Sequence, residues 1–185
     1  MPKVSPEHVE ARRAQILDGA RRAIARWGYD GATVARLEEE IGLSRGAIFH
    51  YYRDKKELFV ALAVEVNRHY IGLMTGAGLG ETVRAVGRES PEWLGAFIEA
   101  EVRLHHDEDF VRRLEAATEE LSEPLVAWFD EEQASGRLRS DVDARDLGRF
   151  ATIVINGLAL RVAGGDETNA DSVARLLEDA LAPRK

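Results

Sequence analysis

Cysteine is absent from the 185 residues. That excludes a disulfide scaffold, a cysteine-ligated zinc site and a thiol nucleophile. Proline is scarce: five residues, at positions 2, 6, 91, 124 and 183, leave long intervals in which a helix can run. No stretch approaches the roughly 18 uninterrupted apolar residues of a membrane span. The opening MPKVSPEHVEARR is too polar for a signal peptide, so a cytoplasmic location with no membrane partner is expected. Runs of two-residue alternation are missing as well, and the chain reads as all-α. What is present is an apolar fraction of 45%, ordinary for a globular protein. It suffices for one compact unit or two small ones.

Net charge is −8, but it is unevenly spread. Residues 1–68 carry 12 Lys and Arg against 10 Asp and Glu; the remainder carries 13 against 23. A mildly basic N-terminal part before a strongly acidic one suggests that only the first meets a polyanion. Chance fluctuation along a charged chain would look the same.

Punctuation residues divide the chain into helices. Ser5 can cap a first helix with Pro6 at its first position. Ile16, Leu17, Ala20, Ala23, Ile24 and Trp27 form its apolar stripe, and Gly28 ends it. Thr33 caps a short helix, VARLEEEI, which Gly42 breaks. Ser44 caps a third helix, RGAIFHYY. Asp54 and Glu57 make a capping box for a long fourth helix that begins KKELF, and GAGLG loosens the chain at 76–80. Further helices are expected at about 81–88, 91–106, 108–121, 124–135, 144–163 and 170–182.

A short helix, a glycine turn and a second short helix form a helix-turn-helix, whose second helix enters the major groove of double-stranded DNA. Ser44 and the free N–H groups behind it can meet a phosphate. Arg45 leads the helix and can read guanine O6 and N7. Gly46 lets backbone approach DNA, Ala47 can touch a thymine methyl, and His50 and Tyr51 project toward bases or phosphates. Ile48, Phe49 and Tyr52 pack inward. Lys55 and Lys56 reach the flanking backbone or remain a solvated helix start. Arg45 has an alternative too, a salt bridge to Glu39 or Glu40. The triple Glu38-Glu39-Glu40 must face away from phosphates or pair with arginines.

The run ILDGARRAIARWGYDGATVARLEEEIGLSRGAIFHYYRDKKELFVAL resembles the tetracycline-repressor (TetR) family of bacterial one-component regulators. The features that carry the likeness are Gly28, Thr33, the segment Ser44-Arg45-Gly46-Ala47-Ile48-Phe49-His50-Tyr51-Tyr52, and Lys55. Departures are Ala47 where Thr is common, Phe49 where Tyr is common, and Leu37-Glu38 where Ile-Ala is common. Residues 19–55 look closer to the actinobacterial aconitase repressors of that family, a likeness that weakens beyond residue 75. The resemblance implies a DNA-binding domain at 1–53, with Thr33 among the contacts. It implies a ligand-binding and dimerisation domain at 54–185, and a repressor released from its operator by a small molecule. For that subgroup the effector is a tricarboxylate such as citrate; an apolar inducer is the alternative.

Residues beyond 53 fit such a sensor. The helix LGRFATIVINGLALRVA is apolar all round, so it must be covered on every side. A second copy of the chain or a central place in a monomer would do this. Ile155, Leu158, Val162, Val173, Leu177 and Leu181 are the expected seam of a homodimer. Polar groups on apolar stripes mark a candidate ligand pocket: Glu101 and His105 after Leu94 and Ile98, and Arg161 after Phe150, Val154 and Gly157, with Trp128 as a wall. Each has a plainer alternative. Glu101 and His105 can be an exposed i,i+4 pair, and Arg161 can pair with Asp166 or Glu167. Catalysis is not expected. His105 and His106 point about 100° apart on a helix, and no nucleophile with its base, phosphate loop or HExxH occurs. No cofactor or metal is expected. A helical protein-interaction module is the remaining alternative.

Overall fold

The computed structural model describes residues 6–184, and Ser5, the expected first cap, lies outside them. The described residues form helices and connections with no strand. Helix α1 spans Pro6–Gly31, α2 Val34–Ile41, α3 Arg45–Ile48, α4 Lys55–Ala77 and α5 Leu79–Gly87. They are followed by α6 Pro91–Leu104, α7 Glu108–Ala134, α8 Ala144–Ala163 and α9 Ala170–Leu181. Gly28 takes φ 67° and ψ 172° inside α1, so the helix is kinked where the sequence places its end.

Two elements differ from expectation. The third helix stops at Ile48 instead of running through Tyr52. Helical bonds persist to the N–H of His50, and Tyr51 then tightens to a bond with the Ile48 carbonyl. Ile-Phe-His-Tyr-Tyr is a run of weak helix formers, and Tyr52 is drawn into the core. The two helices expected at 108–121 and 124–135 are one, with Pro124 inside it. Proline removes one N–H from the ladder. The apolar positions Leu114, Leu121, Leu125 and Phe129 keep their phase across it, so one face remains continuous.

The chain divides into two compact units. One comprises the residues up to Glu65 together with Gly95–Ala117; the other comprises Val66–Leu94 and Thr118–Lys185. The contact division therefore falls elsewhere than 53/54, a boundary drawn on function. In the first unit, α1 lies close against α2: a Cβ on Gly19 would come within 2.8 Å of the Ile41 Cα. Phe59 sits beneath, with its ring 5.2 Å from Tyr29, 5.6 Å from Phe97 and 5.8 Å from Phe110. In the second unit, α5 packs on α9 and α8. Gly80 lies under the Glu178 carboxylate, and Arg84 pairs with Asp171 at 2.9 Å.

An ion network ties the start of α4 to the start of α7 within the first unit. Arg113 Nη1 donates to both oxygens of Asp54 at 3.0 Å, and Arg113 Nη2 meets Asp109 at 2.7 Å. Lys56 donates to Asp107 at 2.7 Å and to Asp109 at 3.3 Å. Burial pushes the Asp54 carboxyl up, but the Glu57 N–H and the Arg113 guanidinium outweigh it and hold it below its ordinary value. Lys56 does the same for Asp107, and Lys56 with Arg113 for Asp109 against its burial.

Carboxyls held low stabilise the fold above the ordinary Asp value, about pH 4, and lose that contribution as pH falls through their depressed folded-state values. Asp54→Asn keeps the cap of α4 and removes the ion pair. It should lower the thermal midpoint at pH 7 by an amount corresponding to about 1 kcal/mol or less, since the pair is partly exposed. Thermal melts of both proteins should converge as pH drops below 4. A gap that widens in acid would contradict this account of the network.

Candidate nucleic-acid interface

Three capping devices build the helix-turn-helix. The Thr33 hydroxyl accepts the Arg36 N–H at 3.5 Å and starts α2. Gly42 ends α2 in the left-handed region, φ 73°, donating to the Glu38 carbonyl at 2.9 Å. The Ser44 hydroxyl then accepts the Ala47 N–H at 3.4 Å and starts α3. Each is an orphan helix-end group finding a partner. Ile48 at 0% and Tyr52 at 6% exposure anchor the far side in the core, while Phe49 is only half-buried.

The outer side of α3 is open. Arg45, Gly46 and His50 are exposed, and Ala47 and Tyr51 are half-buried. A Cβ built on Gly46 meets nothing within 4 Å. The Arg45 guanidinium has no ion pair among the described residues; the expected alternative partner Glu40 is engaged by Arg22 and Arg26 of α1. His50 stacks edge-on against Tyr51 at 5.3 Å.

The two lysines at the start of α4 are committed inside the chain. Lys55 lies over the Tyr29 ring at 4.3 Å and donates to the Tyr29 carbonyl. Burial pushes its ammonium down from the usual range. Tyr29 lies in the last turn of α1, where carbonyls lack intrahelical donors, and the Thr33 N–H goes to the Gly31 carbonyl instead. Lys56 is held by Asp107 and Asp109. Both ammonium groups therefore have partners within the chain, which the sequence did not show.

The candidate sensor residues divide between the two units. Glu101 and His105 belong to the first unit, Trp128 and Arg161 to the second. Glu101 is half-buried, and burial raises its carboxyl against the opposing pull of His105, which is itself exposed. Trp128 packs edge-on against Phe129 at 4.9 Å. Arg161 is exposed and pairs with Asp166 at 3.1 Å, the plainer of its two readings. A groove of about 750 Å³ does lie between α7 and α8, floored by Leu125, Val126, Phe129 and Ile153, but it includes neither Trp128 nor Arg161.

The residues expected at a dimer seam face the chain's own interior. Ile155, Leu158, Val162, Leu177 and Leu181 are buried within the chain. The exposed apolar side chains are Phe150 at 43%, Ile153 at 69% and Leu160 at 61% on α8, with Leu176 at 69% on α9. Positions 150, 153, 157 and 160 follow helical spacing, a signal present in the sequence but hidden by apolar residues on the other face. Among the described residues no helix is long and apolar enough to cross a membrane, and no three His, Asp or Glu gather as a metal site.

Comparison with known proteins agrees with this geometry. The family described as bacterial regulatory proteins, tetR family, matches residues 16–62, and the BetI-type transcriptional repressor C-terminal family matches residues 80–183. The chain belongs to the tetR family. The HTH-type transcriptional repressor Rv1474c of Mycobacterium tuberculosis is 41% identical to this regulator over 98% of both chains. The HTH-type transcriptional repressor AcnR of Corynebacterium jeikeium is 39% identical over 98% of this chain and 94% of its own. The likeness to the actinobacterial repressors therefore extends over nearly the whole chain. Salmonella enterica GusR shares the fold with a TM-score of 0.72 at 21% identity, covering 97% of this chain and 99% of that one. The regulator is thus a DNA-binding transcription factor of the helix-turn-helix type.

Proposed function

We propose that this regulator is a homodimeric repressor that holds operator DNA through α3 and leaves it when a small molecule binds. The observation that carries the reading is the capped, open start of α3: an arginine with no ion pair among the described residues, beside a glycine with free space before it. Residues 1–53 are the DNA-binding segment. Arg45 and Ala47 read bases, and Gly46 permits the close approach. Thr33, Ser44, His50 and Tyr51 meet phosphates or flanking bases. Lys55 donates to the Tyr29 carbonyl and keeps further N–H donors for a flanking phosphate. Arg45→Ala should keep helix content and weaken operator binding by roughly 1–3 kcal/mol per half-site. The check is a shift assay on the DNA upstream of the regulator's own gene, and equal affinity of mutant and wild type would sink the assignment.

The homodimer is built on the exposed apolar strip of α8 and α9. Four large side chains in water favour a covering partner, and Gly157, open on that side, lets a second helix approach. A two-fold dimer also places two recognition helices on successive turns of one DNA face. Ile153→Asp or Leu160→Asp should yield a folded monomer in sedimentation. Ile155→Asp should unfold the chain, since it buries an unpaired charge in the core. A wild-type monomer at micromolar concentration would refute the dimer.

The effector is a small anion, and the likeness to aconitase repressors makes tricarboxylates such as citrate the first to test. A ligand releases DNA only if it prefers a state that fits DNA less well, and DNA must then weaken the ligand equally. Di- and tricarboxylates, with and without magnesium, should be screened for release. Glu101→Gln, His105→Ala, Trp128→Ala and Arg161→Ala then test the four candidate residues. A releasing ligand that acts equally on all four variants moves the site elsewhere. If no small molecule shifts DNA binding, the one-component reading loses its support.

A further inference from the structure

Glu38-Glu39-Glu40 is the feature of the helix-turn-helix that DNA binding leaves unexplained: three carboxylates on the helix next to the reading helix. Two of them have simple fates. Glu40 faces α1, where it meets Arg26 at 3.2 Å and Arg22 at 3.4 Å. Glu39 is exposed. Glu38 turns the other way. Its Oε1 accepts the backbone N–H of Arg45 across the turn, at 2.6 Å. Its own carbonyl accepts the Gly42 N–H at 2.9 Å. One residue therefore closes α2 with its backbone and opens α3 with its side chain. The Ser44 hydroxyl is used on Ala47 N–H, so Glu38 is what holds the first residue of α3.

We propose that Glu38 is a positioning residue for sequence-specific DNA binding, fixing where Arg45 leaves the turn and hence where its guanidinium meets the bases. The inference rests on the DNA-binding reading above. A bidentate contact to a base edge tolerates little misplacement, whereas contacts to phosphates tolerate much more. A looser turn would therefore cost operator binding and spare binding to arbitrary sequence. The charge of Glu38 acts differently. A carboxylate near the interface opposes phosphates on operator and random DNA alike, so it lowers both affinities and leaves their ratio unchanged. Position and charge are thus separable by measurement.

The experiment uses the full chain, a duplex recovered by the wild-type protein from a random-sequence pool, and a scrambled duplex of equal length. Affinities are taken at several salt concentrations and corrected for active fraction, with circular dichroism checking that each variant is folded. Glu38→Gln keeps the acceptor and loses the charge. It should bind both duplexes more tightly, with the operator-to-scrambled ratio within about twofold of wild type. Glu38→Asp keeps the charge and falls one methylene short of Arg45. Its ratio, and that of Glu38→Ala, should drop by about tenfold or more, the scale of one lost base contact. Ratios unchanged in the Asp and Ala variants overturn the proposal. So does a Gln variant whose ratio falls with theirs, because the effect would then belong to charge. If the wild type itself recovers no preferred duplex, the DNA-binding reading fails, which is a different result from either.

Discussion

The burial of Phe59 is the contact on which the DNA-binding end depends. This one ring, 1% exposed, touches Tyr29 at the kinked end of α1, Phe97 of α6 and Phe110 of α7. A helix-turn-helix of short helices cannot bury enough apolar surface to stand alone. Here it gains a floor from α4, and α4 gains walls from residues 95–117. The ion network of Asp54, Lys56, Asp107, Asp109 and Arg113 lies on the rim of the same cluster. Partly exposed pairs add little stability, but they fix which turn of α7 faces the start of α4.

Most cations among the described residues of this unit have partners within it. Arg22 and Arg26 are spent on Glu40, Lys55 on Tyr29 and Lys56 on two aspartates. Arg36 and Arg26 both lie against the Trp27 ring. Arg45, at the tip of the reading helix, has no such partner among the described residues. A surface with many loose cations binds any DNA strongly. One that pairs most of them leaves recognition to a few oriented groups.

On α8 the same argument concerns apolar groups. Ile155, Leu158 and Val162 fill the core of the second unit, and Phe150, Ile153 and Leu160 remain in water. Its own chain covers one face of the helix and leaves the other open.

Much of the architecture was legible in local chemistry. Thr33, Gly42, Ser44 and the Asp54–Glu57 pair act where their residue types place them, because caps and left-handed turns depend on neighbours within about four residues. Glycine and proline were weaker guides: Gly78 alone interrupts α4 and α5, and Pro124 does not end α7. The site was legible as far as its side chains act locally. Arg45 and Gly46 open outward as their cap implies. The sequence could not show that Lys55 would turn to a carbonyl 26 residues away, or that Glu38 would reach across the turn to Arg45. Nor could it choose between the two apolar faces of α8. Helical periodicity reports that a face is apolar; which face meets α5 and which meets water depends on where the rest of the chain packs, and only the tertiary structure decides that.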